Sequence, residues 1–116
     1  MTSSKPREQI WREWRQLVNM SADEIDAWLD TKQSRSVGIM EGDDTNGRKS
    51  ARRIVEIERT GKDELSDEQW DHMARVVGYI KRHCAQTGPD HDVETSDWRY
   101  SLMNWGHDPL KDGGCA

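Results

Sequence analysis

The chain has 116 residues, 33% hydrophobic and 34% charged, which fits one domain with a thin core. Six Trp and no Phe suit such a core, because one buried indole removes on the order of 200 Å² from water. A net charge of −5 and a pI near 5.3 exclude a general polyanion binder, whose pI would exceed about 9, but not a local basic patch.

No stretch approaches the roughly 18 apolar residues of a membrane span. Met1 to Pro6 lacks the apolar core of a signal peptide. Cys84 and Cys115 are too few for a disulfide scaffold. The expectation is a reduced protein of the cytoplasm or nucleus with no membrane association.

The first helix is predicted from about Lys5 to Val18, capped by Ser4 or a neighbour, with Pro6 in its first turn. Ile10, Trp11, Trp14, Leu17 and Val18 draw one apolar stripe. Asn19-Met20 breaks the period. Ser21 to Glu24 then reads as a capping box, with Met20 and Ile25 as its hydrophobic staple. The second helix spans about Ala22 to Thr31 and buries Ile25, Trp28 and Leu29.

Ser34 to Gly47 has no period, carries three glycines, and is expected to be a long mobile loop. A third helix, about Arg48 to Thr60, sets Ala51, Ile54, Val55 and Ile57 against Arg48, Lys49, Arg52, Arg53 and Arg59. Glu58 falls inside the apolar arc without a physical reason in the sequence. Ser66 to Gln69 repeats the capping-box pattern, with Leu65 and Trp70 as staple.

The fourth helix, about Asp67 to Gln86, is the longest. Trp70, Met73, Val77, Ile80 and Cys84 run along it, and Val76 and Tyr79 widen the stripe, as a central helix requires. Thr87-Gly88-Pro89 stops it. A fifth helix, about Ser96 to Trp105, is capped by Thr95 and ended by Gly106 and Pro109. The expected fold is therefore all-α: a compact bundle of about five helices over residues 1–110, with the Trp98/Trp105 helix against the fourth. Residues 111–116 read as a flexible tail.

Little in this pattern points to catalysis. His72 and His83 share a helix face but stand roughly 16 Å apart along the axis, too far to ligate one zinc. A metal site would need His107 or His91 to fold against one of them. Gly42 to Gly47 fails the calcium-loop pattern, because Gly42 and Arg53 stand where acids are required. There is no G-x-S-x-G, and Cys84 on an apolar face reads as an inert thiol. His107-Asp108 reads as a helix-end charge rather than an acid/base pair. The expectation is a protein that is not an enzyme and has no cofactor.

The basic residues are the most suggestive feature. Arg48, Lys49, Arg52 and Arg53 cover one arc of the third helix, Lys81 and Arg82 add a second cluster, and Arg99 lies by the C-terminal Trp pair. Such density can neutralise phosphates. The competing reading is a solvated face balanced by Glu56 and by Asp43-Asp44.

The runs His72 to His83 and Trp98 to Leu110 (WRYSLMNWGHDPL) resemble a small bacterial and fungal family of unknown function, DUF3140. Val18-Asn19-Met20, Trp28-Leu29 with Thr31, Ser34, Val37-Gly38 and Arg52 to Ile57 extend the resemblance over nearly the whole chain. It implies a DNA-binding label carried by some members, or a stress-associated adaptor module. Gly47-Arg48, Ser50-Ala51 and Glu58 depart from the family's pattern.

Together these readings predict a helical DNA- or RNA-binding module using Arg48, Lys49, Arg52, Arg53, Lys81, Arg82 and Arg99. The alternative is a protein-interaction adaptor with a Trp-rich surface formed by Trp11, Trp14, Trp98 or Trp105.

Overall fold

The computed structural model describes residues 5–86 and 88–115. Its helices are α1 (Arg7–Leu17), α2 (Ala22–Leu29), α3 (Lys32–Arg35), α4 (Asn46–Glu58), α5 (Asp67–Ala85) and α6 (Asp97–Asn104). Two-residue strands β1 (Met40–Glu41) and β2 (Asp44–Thr45) pair antiparallel, Met40 opposite Thr45. The fold is mainly helical, as expected, but it is not all-α, and it has a sixth helix of one turn. No described helix is long and apolar enough to cross a membrane.

Both capping boxes form. Ser21 Oγ accepts from Glu24 N–H while Glu24 accepts from Ser21 N–H, and Ser66 and Gln69 do the same at α5. Met20, Ile25, Leu65 and Trp70 are all buried beside them. Two caps differ from expectation. Ser96 rather than Thr95 caps α6, accepting from Arg99 N–H at 3.1 Å. Pro6 occupies the N-cap of α1. The expected Ser4 cap and Thr87 of the α5 stop lie outside the described residues.

α1 packs along α5 and α2 along α4, while α6 touches α2, α3, α4 and α5. The core gathers Ile10, Trp14, Ile25, Ile54, Met73, Val76, Ile80, Leu102 and Trp105. α6 ends in a Schellman turn: Gly106 N–H donates to Met103 O and His107 N–H to Leu102 O, both at 3.0 Å. Gly106 takes a left-handed φ of +83° and lies against Val18, so a side chain there would be strained and crowded.

The segment expected to be a mobile loop is anchored instead. Ser34 is fully buried, and its hydroxyl donates to Asn104 Oδ1 at 2.7 Å. Asn104 Nδ2 donates back to Ser34 O at 3.0 Å, and the Trp28 indole N–H donates to the same Oδ1 at 2.7 Å. Thr45 caps α4 through Arg48 N–H, so the helix begins two residues before the expected start. Buried polar groups hold their place only when paired, and these pairs fix the segment against α6.

The tail and the cysteines also depart from expectation. Lys111 Nζ donates to Asn19 O at 3.0 Å and to Glu24 at 2.7 Å. Cys115 is joined to Cys84 in a disulfide spanning a sequence separation of 31, so neither cysteine is the free thiol expected. Residues Lys111 to Cys115 therefore fold back on the body of the domain.

Candidate functional site between α4 and α5

The seven basic residues singled out by sequence have different fates. Arg48 is only 7% exposed. Its Nε donates to both Asp44 oxygens at 3.0 and 3.1 Å. Its Nη1 donates to Leu29 O and to Ser34 Oγ, both at 2.8 Å. These internal partners occupy the guanidinium, so Arg48 is not a surface phosphate contact. A helix wheel marks it as polar, but the ordered Ser34–Thr45 segment folds over it.

Arg99 is similarly engaged. Its guanidinium makes a forked pair with Asp108 at 3.1 and 3.0 Å and donates to Glu94 O. Burial opposes ionisation of Asp108, yet the hydrogen bonds from Arg99 and Leu110 N–H outweigh it and hold its pKa below the ordinary value. Arg52 pairs with Asp44, Lys49 with Asp43 at 3.7 Å, and Lys81 with Glu13. Asp44 sits partly desolvated, but Arg52, Thr45 N–H and Arg48 together pull its pKa down to about 2.

Arg53 and Arg82 remain. Both are exposed, and neither forms an ion pair with a carboxylate among the described residues. Arg75 shares this property and was not singled out by sequence. It lies on the same helix face as Arg82, seven residues and about 10 Å away. The seven-residue spacing is present in the sequence, but a lone arginine between Ala74 and Val76 carries no cluster signal.

Arg53 and Arg75 flank a buried Ser50–His72 pair, Ser50 Oγ lying 2.9 Å from His72 Nε2. α4 supplies Ser50 and Arg53, and α5 supplies His72 and Arg75. Burial, then the charges of Arg53 and Arg75, push the His72 pKa down to about 4, so the ring is neutral at pH 7. Its ring stacks near Trp105 at 6.4 Å. A cleft lined by Asn46, Lys49, Ser50, Arg53, His72, Arg75, Trp105 and Glu41 opens over the pair. It adjoins a larger cavity of about 470 Å³ lined by Arg53, His72, Ser66, Gln69, Glu56 and Glu68. A histidine this acidic is a poor base for activating Ser50 at neutral pH, so the arrangement suits binding better than nucleophilic catalysis.

The histidines do not converge. His72 belongs to this cleft, His83 stacks on Tyr79 at 5.3 Å, and His107 lies against Leu17 O and Cys115. The four Trp residues of the expected Trp-rich surface, Trp11, Trp14, Trp98 and Trp105, differ in exposure. Trp14, Trp28, Trp70 and Trp105 are buried, and Trp11 and Trp98 are only half-exposed, on separate helices. Among the described residues, the exposed large apolar side chains are Ile39, Met40 and Leu110. Glu58, unexplained by sequence, faces Trp14 as hydrogen-bond partner, and burial of its carboxylate raises its pKa.

Fold and cleft thus define a small, mainly helical domain with a polar, arginine-flanked groove. Residues 13–103 match the model of a family described as Protein of unknown function (DUF3140), and the chain belongs to that family. No curated protein and no solved structure matches it.

Proposed function

We propose that the protein is a nucleic-acid-binding module, DNA or RNA, whose phosphate contacts come from Arg53, Arg75 and Arg82. The observation that carries this reading is that these three guanidiniums have no carboxylate partner among the described residues, whereas Arg48, Lys49, Arg52, Lys81 and Arg99 each do. Free guanidinium donors on one side of α4 and α5 suit phosphate oxygens. Lys49, paired only loosely with an exposed Asp43, can exchange that partner for a phosphate. Glu56 and Glu68 on the adjoining cavity confine a polyanion to the Arg53/Arg75 end. The chain acts by binding, not as an enzyme.

The test is fluorescence anisotropy with a labelled DNA duplex and a single-stranded RNA at two salt concentrations. Two to three phosphate contacts give an affinity loss of about ten- to fortyfold between about 50 and 200 mM salt. Reversing charge in Arg53→Glu/Arg75→Glu should abolish binding, and Lys81→Glu should leave most of it. Undetectable binding of both probes at low salt, or binding indifferent to the double reversal, sinks the proposal.

A further inference from the structure

His107 is fully buried, and its Nδ1 lies 2.6 Å from Leu17 O. A carbonyl can only accept, so Nδ1 carries the proton and Nε2 keeps its lone pair. Cys115 N–H donates to that lone pair at 3.3 Å. A ring nitrogen of His107 and the sulfurs of Cys84 and Cys115 all lie within 4.8 Å of one another.

Three separate parts of the chain build this cluster. The last turn of α5 presents Cys84, and the Schellman turn after α6 presents His107. A turn through Gly113 and Gly114 then returns the tail. A Cβ on Gly114 would meet Pro109 O at 2.3 Å, so glycine is required for Cys115 to reach His107. A cleft of about 210 Å³, lined by Gln86, Val93 and Trp98 among others, opens beside both sulfurs.

We propose that Cys84, Cys115 and His107 form a redox-gated zinc site. In the oxidised chain the two sulfurs are joined. In the reduced chain both thiolates and His107 Nε2 bind one Zn²⁺, with water entering from the cleft as the fourth ligand. Two thiolates and an imidazole are a donor set that zinc prefers over magnesium or calcium. A histidine whose other ring nitrogen donates to a backbone carbonyl is held in the ligating tautomer. Zn–S bonds of about 2.3 Å and a Zn–N bond of about 2.0 Å place the ligands of one tetrahedral ion about 3–4 Å apart. Loss of the sulfur–sulfur bond lets the tail make that small adjustment.

The chemistry balances without an oxidant. A dithiol reductant passes two electrons and two protons to the Cys84–Cys115 bond, becoming a disulfide itself and leaving two thiols. Zn²⁺ then displaces those two protons as it binds, with no change in its oxidation state.

The full chain, reduced with a phosphine and freed of it under anaerobic conditions, is titrated with Zn²⁺ against a chromophoric chelator. Co²⁺ is used in parallel, to read thiolate-to-metal charge transfer. The expected result is one equivalent bound by the reduced chain, with a two-thiolate cobalt spectrum, and none by the oxidised chain. Cys115→Ala, in the exposed tail, should weaken binding about 100-fold or more without disturbing the core. His107→Gln should weaken it about 10- to 100-fold. If His107→Gln does not fold, the Cys115→Ala result and the cobalt spectrum decide. Absence of stoichiometric binding by the reduced chain overturns the proposal. So does equal binding by the oxidised chain or by Cys115→Ala.

Discussion

The Trp105 indole stacks on the Tyr79 ring with centroids 4.1 Å apart and planes 14° apart. The stack continues to His72 from Trp105, and to His83 and then Trp98 from Tyr79, at 6.4, 5.3 and 6.4 Å. Rings from α5 at 72, 79 and 83 join rings at 98 and 105 from α6 and its cap in one column. The ladder is what holds the short α6 to the long α5. Trp105→Ala should therefore cost about 3–5 kcal/mol, the usual range for deleting a buried indole. Urea unfolding followed by far-UV circular dichroism reads the loss. A cost below about 1 kcal/mol would show that the column is not a structural element.

Asn104 is the last residue of α6, and its side-chain oxygen accepts from both Trp28 and Ser34. Asn104→Leu conserves size but strands two buried donors. Each unsatisfied buried group costs about 1–3 kcal/mol, so the variant should lose about 3 kcal/mol. The amides of Ser34 to Thr45 should also exchange faster with solvent, because Asn104 and Arg48 tie that segment down. Unchanged exchange there would show that the segment is ordered by something else.

Those elements also show what the sequence could and could not reveal. Helices α1, α2, α5 and α6 were readable because their apolar spacing and capping residues act locally. Ser34, Asn104 and Arg48 were not, since each is polar and the hydrogen bonds that tie Ser34 to Arg48 and to Asn104 join residues 14 and 70 positions apart. Periodicity sorts residues by polarity, so a buried arginine inside a salt bridge looks like a surface arginine. The Cys84–Cys115 pairing was hidden for the same reason, because two cysteines carry no spacing signal without the turn at Gly113-Gly114. Arg53 was identified with its neighbours, but only the placement of Asp43 and Asp44 separates it from Arg48, Lys49 and Arg52.

His72 makes stability depend on pH in a defined window. Its folded pKa is near 4, depressed by burial and by Arg53 and Arg75, while the unfolded chain titrates near the ordinary 6.5. Between those values the unfolded state holds a proton that the folded state refuses. Stability therefore rises with pH across this window, by up to about 1.4 kcal/mol per unit, and the penalty is absent above about pH 6.5. His83, also depressed by burial, adds in the same direction. His72→Gln should flatten the profile between pH 4 and 6.5 relative to the parent chain. Parallel stability profiles for the two proteins would contradict the assignment.

Arg48 and Arg53, five residues apart on α4, should separate stability from binding. Arg48 is buried against Asp44, Leu29 O and Ser34. Removing it leaves Asp44 with Arg52 and Thr45 N–H alone and two buried acceptors unfilled, each at a cost of about 1–3 kcal/mol. Arg53 is exposed and lacks a carboxylate partner among the described residues, so Arg53→Ala should change stability by less than about 0.5 kcal/mol. The binding effects run the other way. At a temperature where both variants are folded, Arg48→Ala should bind nucleic acid as the parent does, and Arg53→Ala should bind more weakly with a shallower salt dependence. Thermal melts and anisotropy on the same two proteins give all four numbers. Loss of binding in Arg48→Ala, with its fold intact, would return the phosphate contact to the buried residue and remove the reason for distinguishing them.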